Sequence, residues 1–149
     1  MIGNMQKVSA IHIKPVKKQA AEKKRSVLLL KDFGPQKDAY GGPGDRQITL
    51  LGQKDMEELK KDREKGICIN RFIPNITITG SSKNLIKGRK YTLGETEIQI
   101  SSVSKKCHEG CLLKEEENRI CLLPLAARFA SVLKSGTVTI DDSIVPVNS

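Results

Sequence analysis

Residues 89–103 read RKYTLGETEIQISSV, and this stretch decides the fold class of the chain. It contains two short runs rich in β-forming residues, RKYTL and ETEIQISSV, which meet at Gly94. Runs of this length that end at glycine or other turn residues are typical of neighbouring strands in an antiparallel sheet. The stretch therefore predicts β-structure in this part of the chain.

Similar runs recur along most of the sequence, separated by Gly, Asn, Asp and Lys turns. They are KVSAIHI (7–13), SVLLL (26–30), DRQITLL (45–51), ICINRFI (67–73), NITIT (75–79), TVTI (137–140) and SIVPV (143–147). This spacing predicts a closed or nearly closed antiparallel β-barrel. Two segments predict helices, namely 53–65, which stops before Gly66, and 124–136, which opens on Pro124 and stops at Gly136. The expected fold class is mostly β with a few helices.

Length and composition limit the kinds of protein to consider. The chain has 149 residues, 38% of them hydrophobic and 29% charged, which fits a single domain over 1–149. No apolar run reaches the roughly 20 residues of a membrane helix and no signal-peptide core opens the sequence, so we expect a cytosolic protein with no membrane partner. The four cysteines are then expected to be reduced thiols.

The net charge of +9 is concentrated in one segment, residues 14–25, KPVKKQAAEKKR. We expect this segment to be a mobile basic loop that is dispensable for folding. An anionic partner is suggested, but aromatic residues are 3% of the chain and tryptophan is absent. Nucleic-acid binding is therefore disfavoured, because single-strand binders stack bases on aromatic side chains.

Residues 107–111, CHEGC, contain the strongest candidates for chemistry. Lys105, Lys106 and His108 would favour a thiolate at Cys107 or Cys111, and a thiolate is either a nucleophile or a ligand for a soft metal. A structural zinc site is a poorer match, because one Cys-x3-Cys pair lacks a second separated pair. The cysteines could also be small apolar residues of a barrel wall.

The loop 31–47, KDFGPQKDAYGGPGDRQ, is dense in Gly, Pro and Asp. Its glycines would let backbone amides approach a ligand closely, so it is either a plain long loop or a binding loop.

These motifs together resemble the MOSC domain, the family named for the carboxy-terminal domain of molybdenum cofactor sulfurases, in its small stand-alone bacterial form. The resemblance covers nearly the whole chain and follows the family's order. It is carried by KDAY (37–40), DRQITLL (45–51), FIPNIT (72–77), CHEGC (107–111), CLLP (121–124) and FASVLKSGTVTIDDSI (129–144). It implies a mostly antiparallel β-barrel with a pocket for a sulfur- or molybdenum-bearing species.

The resemblance also implies roles for particular residues. Cys111 matches the cysteine that ligates molybdenum of the pterin cofactor or carries sulfur as a persulfide, with Cys107 as a helper or resolving thiol. Arg46, Asn75 and Thr77 match polar positions of the pocket, and His108 would orient or stabilise the thiolate.

Three functions remain open from the sequence. The first is a molybdenum-cofactor protein, such as a small reductase of N-hydroxylated compounds, which would need a separate electron donor. The second is a persulfide carrier served by a pyridoxal-phosphate-dependent desulfurase, and the third is a ligand-binding module without turnover. The third is kept because loop residues depart from the family pattern: Tyr40 replaces the usual histidine, and Lys37 replaces the glycine before Asp38.

Overall fold

The computed structural model describes residues 6–17, 19–60, 73–102 and 126–147. In chain order the elements are β1 (Gln6–Ile13), β2 (Glu22–Lys24), β3 (Ser26–Leu30), β4 (Gly34–Pro35), β5 (Ile48–Gly52), α1 (Gln53–Leu59), β6 (Ile76–Ile78), a 3-10 helix (Ser82–Asn84), β7 (Lys90–Leu93), β8 (Thr96–Ile100), β9 (Arg128–Lys134), β10 (Gly136–Thr139) and β11 (Ser143–Pro146).

Seven of these strands form a closed β-barrel, as the sequence predicted. Their order is β11-β7-β8-β9-β5-β6-β1, and pairing between β1 and β11 closes the ring. Strand β2 lies beyond β1, while β10, β3 and β4 form a separate three-stranded sheet. Closure leaves none of the seven barrel strands as an edge.

One pair in the barrel departs from the predicted antiparallel pattern. Strands β5 and β6 run parallel, with Leu50 opposite Ile76 and Gly52 opposite Ile78. Parallel neighbours cannot be joined by a tight hairpin and need a longer crossover. Helix α1 begins that crossover directly after β5.

The core follows the alternation seen in the sequence. Leu93, Ile98 and Ile100 are fully buried, and Tyr91 is 4% exposed, whereas Glu97 and Gln99 are half-buried. Strands β7 and β8 pair from Lys90 opposite Gln99 to Leu93 opposite Thr96. Gly94 has a φ of 57° in the turn between them, a value that glycine adopts without steric cost.

The helix predicted over 124–136 is wrong from Arg128 onward, because Arg128–Lys134 is strand β9. This strand pairs with β5 on one side and β8 on the other, with Ala130 opposite both Ile48 and Ile100. Ala130 and Val132, two residues apart, are fully buried. Two flanking ladders and a period of two override the local helix propensity of this segment.

The other predicted segments are confirmed in part. Helix α1 begins at Gln53 as expected, and Leu59 is buried; residues 61–65 of the predicted helix lie outside the described residues, as does the predicted strand 67–73 apart from Ile73. In the basic segment, Glu22–Lys24 pairs with Ile11–Ile13 as strand β2 rather than forming loop throughout. Its mobility stays a prediction. Within the described residues, no helix is long and apolar enough to cross a membrane.

Candidate functional site

The predicted site residues divide into those that the structure describes and those that it does not. Cys107, His108 and Cys111 lie outside the described residues, as do Cys68 and Cys121. Arg46, Asn75 and Thr77 are described, and their surroundings define the candidate site.

Asn75 lies directly before β6, and its side chain makes four hydrogen bonds. The amide oxygen accepts from the Thr49 backbone N–H (3.0 Å) and from the Thr49 hydroxyl (3.1 Å). The amide nitrogen donates to the His12 carbonyl (3.2 Å) and to Asp38 Oδ2 (2.9 Å). An amide group has two N–H donors and two oxygen lone pairs, so these bonds use its full capacity.

Asp38 connects this group to the glycine-rich loop. Its side chain is 6% exposed; Oδ1 accepts from the Tyr40 backbone N–H (2.8 Å) and Oδ2 from the Lys14 backbone N–H (3.2 Å). We call Asp38, Asn75, Thr49 and the His12 backbone the polar clamp, because it joins β1, β5 and the start of β6 to the loop. The sequence reasoning did not assign Asp38; the signal for it was an aspartate in a loop, where its carboxylate can bind the backbone two residues on.

The backbone at Lys37 explains one departure from the family pattern. Lys37 has a φ of 69°, in the left-handed region that glycine occupies without cost. The resemblance expects glycine at this position, and the backbone of Lys37 adopts a conformation that glycine would adopt without steric cost.

Arg46 lies on the outer side of the barrel, at the end of the same loop. Its guanidinium carbon is 4.9 Å from the centroid of the Phe129 ring, and Arg46 is exposed. Phe129 is opposite Thr49 in the β5–β9 ladder. Arg46 and the polar clamp therefore share one outer face of the barrel.

The loop that carries Arg46 is fastened to this face from its other side. The Ser131 hydroxyl donates to the Gly44 carbonyl (3.0 Å), and the Ser101 hydroxyl donates to the Asp45 carbonyl. A Cβ atom at Gly41 would collide with the Phe33 ring. Glycine at this position lets the loop lie close against Phe33.

Thr77 is two residues beyond Asn75 and lies under helix α1. It is 4% exposed, and its hydroxyl donates to Met56 Sδ at 3.9 Å. Helix α1 therefore covers this position.

A second polar cluster forms around Asp55 of α1. Asp55 is 2% exposed and accepts from the Ser81 hydroxyl (2.8 Å) and the Ser82 backbone N–H (2.8 Å). Arg128 Nε donates to the Leu85 carbonyl (3.0 Å). Burial lowers the pKa of Arg128 while the nearby Asp55 carboxylate raises it, so the opposite charge compensates for part of the desolvation.

These contacts allow a test of whether the described residues fit a molybdenum-pterin cofactor. Asn75 has no remaining hydrogen-bond capacity and Thr77 is covered, so neither has a free polar group for a ligand in this conformation. Arg46 does fit, because an exposed guanidinium can bind a phosphate through two hydrogen bonds. Among the described residues, no group of three or more His, Cys, Asp or Glu side chains could hold a metal ion.

The described fold is a closed β-barrel with a glycine-rich loop fastened to its outer face. The sequence model of the MOSC domain matches residues 32–145, which is most of the chain. The chain belongs to the MOSC domain family.

Solved structures share this fold at low sequence identity. The YuaD protein from Bacillus subtilis matches with a TM-score of 0.71 and 12% identity, over 98% of this chain and 98% of that one. YiiM from Escherichia coli matches with a TM-score of 0.58 and 17% sequence identity, over 97% of this chain and 69% of that one. YiiM from Geobacillus stearothermophilus matches with a TM-score of 0.60 and 15% sequence identity, over 96% of this chain and 75% of that one. Comparison with curated proteins gave no match.

Proposed function

We propose that this MOSC domain binds molybdenum cofactor, or a related sulfur- or metal-bearing species, through the thiolate of Cys111. The observation that carries the proposal is the family match over residues 32–145, a range that includes the CHEGC segment. MOSC domains are associated with molybdenum-cofactor binding in general. A thiolate is the protein ligand that soft transition metals prefer.

In this proposal Arg46 binds the anionic part of the ligand. Its guanidinium is exposed and rests on the Phe129 ring, which orients the charge without neutralising it. Asn75 acts as a positioning residue, because its hydrogen bonds hold the loop on which Arg46 lies. Thr77 contributes through packing under α1. His108 and Cys107 support the Cys111 thiolate.

When bound, the cofactor would supply a redox-active metal for the reduction of a small N-hydroxylated compound. The protein's own residues would hold and orient it. Electrons would come from a separate donor protein, since the chain carries no flavin, haem or iron–sulfur signature.

A second candidate is a persulfide carrier, and the observation that favours it is a second thiol, Cys107, four residues before Cys111. A pyridoxal-phosphate-dependent desulfurase would place a sulfane sulfur on the Cys111 thiolate. Transfer of that sulfur to a nucleophilic acceptor would break the new S–S bond and restore the Cys111 thiolate. As a resolving thiol, Cys107 would instead attack Cys111 Sγ and release the sulfur as sulfide, and the Cys107–Cys111 disulfide formed in this step would need an external dithiol reductant.

Metal and pterin analysis of protein purified from a host that makes the cofactor tests the first candidate. We expect the wild type and Cys68→Ser to retain molybdenum and pterin, and Cys111→Ser to lose both, because an alcohol is a poor ligand for a soft metal. Arg46→Ala should lower pterin retention while leaving the protein folded. Retention of metal and pterin by Cys111→Ser at the wild-type ratio would contradict the proposal.

Thiol labelling tests the reactive cysteine independently of any cofactor. With limiting alkylating reagent at neutral pH, Cys111 should be modified before Cys68 and Cys121, since reactivity follows thiolate fraction and access. Transfer of labelled sulfur from a desulfurase to the wild type but not to Cys111→Ser, with no molybdenum in the purified protein, would favour the carrier instead.

A further inference from the structure

Two of the four large hydrophobic side chains exposed in the described residues, Val16 and Tyr40, belong to the basic segment 14–25 and to the glycine-rich loop 31–47. The Ala39 N–H, which donates to the Lys14 carbonyl, joins these two segments. Val16 is 58% exposed and Tyr40 is 51% exposed. We define the Tyr40 surface as Lys14, Val16, Lys17, Lys23 and Tyr40. Aromatic side chains are enriched at protein interfaces, where a few such residues carry most of the binding energy.

Two lysine ammonium groups lie beside the Tyr40 ring. The ammonium nitrogens of Lys14 and Lys17 are 6.0 Å and 5.7 Å from the Tyr40 ring centroid. Lys23 is opposite His12 in the β1–β2 ladder, and His12 precedes Lys14 by two residues in the sequence. The Tyr40 surface is therefore an apolar centre with a cationic rim.

The positive charge of this rim is not compensated by carboxylates of the described residues. Lys24 pairs with Glu22 at 3.1 Å, but no described carboxylate forms an ion pair with Lys14, Lys17 or Lys23. The nearby Asp38 is buried within the polar clamp. No carboxylate of the described residues therefore occupies the rim.

The backbone beneath the surface is fixed before any partner binds. Asp38 accepts from the backbone N–H groups of Lys14 and Tyr40, and the Ala39 N–H donates to the Lys14 carbonyl at 2.8 Å. Lys23 is held by the pairing of β2 with β1. A preorganised surface loses less conformational entropy on binding, which favours affinity.

We propose that the Tyr40 surface docks an acidic protein, whose segment places an apolar side chain on Tyr40 and carboxylates on the surrounding lysines. Charge complementarity selects an acidic partner. The apolar centre favours a protein over nucleic acid, because one exposed ring already flanked by two ammonium groups is a poor stacking platform for successive bases. The proposal does not rest on the proposed function, since none of these residues is assigned to the cofactor.

Fluorescence anisotropy with defined probes tests the proposal on the full chain. The probes are a labelled acidic peptide of about ten residues with a central phenylalanine, the same peptide with alanine at the centre, and a single-stranded oligonucleotide of matched charge. We expect the phenylalanine peptide to bind best, with an affinity that falls as salt rises. Lys17→Glu with Lys23→Glu should weaken it about tenfold or more, and Tyr40→Ala by about threefold or more.

The matched control is Lys83→Glu with Lys90→Glu, which makes the same charge change at two exposed lysines of the 3-10 helix and β7. This variant should lose less than about threefold, because screened charges act weakly over long distances. Equal losses in the two charge-reversal variants would overturn the proposal in favour of binding by net charge. If the oligonucleotide binds more tightly than the phenylalanine peptide, and Lys17→Glu with Lys23→Glu loses that binding, the surface is a nucleic-acid site and the proposal is overturned. If Tyr40→Ala binds the phenylalanine peptide as tightly as the wild type does, Tyr40 is not the apolar centre of a docking surface and the proposal is overturned as well.

Discussion

Replacing Asn75 with alanine distinguishes a residue that holds the fold from one that only contacts a ligand. The substitution removes four side-chain hydrogen bonds, including one to the Asp38 carboxylate at 2.9 Å. Hydrogen bonds contribute about 1 kcal/mol each, and those to charged groups about 1.5–3 kcal/mol. Asn75 is half-buried, so water restores part of the loss, and we expect the free energy of unfolding to fall by about 2–4 kcal/mol.

Urea denaturation followed by circular dichroism measures this loss. The matched control is Asn84→Ala, since Asn84 is exposed and its side chain makes none of the described hydrogen bonds. This control should stay within about 0.5 kcal/mol of the wild type. Asn75→Asp should be destabilised at least as strongly as alanine at neutral pH, because it brings a second carboxylate next to Asp38.

The same variant should release the glycine-rich loop. Limited proteolysis between Gly41 and Arg46 should become faster in Asn75→Ala than in Asn84→Ala, since the clamp no longer fixes Asp38. If Asn75→Ala unfolds within about 0.5 kcal/mol of the wild type and its loop is cut no faster, the clamp reasoning is refuted and Asn75 is available as a direct ligand contact.

Three further predictions follow from the buried and strained positions. Asp55→Ala should lower the free energy of unfolding by about 2–4 kcal/mol, since it leaves buried donors unpaired, whereas Glu57→Ala on the exposed face of α1 should change the urea midpoint little. Lys37→Gly should raise the free energy of unfolding by up to about 1 kcal/mol, because it removes the steric cost of a side chain at a left-handed backbone position. Lys31→Gly should lower the free energy of unfolding, because φ is not positive at that position. Burial, and secondarily the charge of Lys23, lowers the pKa of His12, so the folded state binds fewer protons than the unfolded state. Stability should therefore be complete above the ordinary histidine pKa of about 6.5 and fall as the pH drops below it, and His12→Gln should flatten this part of the pH profile.

Most barrel strands were predictable because each of them has a local pattern, whereas β2, β4 and β9 were not predicted as strands. In β8 every second residue is buried. Successive side chains of a strand point to opposite faces, so this burial alternates with a period of two residues along the sequence. Segment 128–134 shows the limit of local reasoning, since alanine, arginine, leucine and lysine favour a helix in isolation. Its strand conformation depends on ladders with Ile48 and Ile98, which are far away in sequence.

The sequence proposed residues for the candidate site, and their roles in ligand binding stay predictions. The resemblance selected Arg46 and Asn75, and the structure brings both to one outer face. The role of Asn75 depends on Thr49 and Asp38, which are 26 and 37 residues away along the chain. No local pattern encodes such a partnership, so a polar residue that holds a loop looks the same in sequence as one that holds a ligand.

The polar clamp also explains why Tyr40 can replace the histidine that the family pattern expects. Asp38 accepts a hydrogen bond from the backbone N–H of Tyr40, so any residue other than proline at this position can keep that bond. The ring is 51% exposed and lies beside Lys14 and Lys17. Because the clamp fixes the backbone and leaves the side chain outside, position 40 can change its chemistry without changing the loop that carries Arg46. A docking role for Tyr40 and a ligand-binding role for Arg46 are therefore physically independent, and Tyr40→Phe should preserve both the clamp and the binding of the acidic phenylalanine peptide.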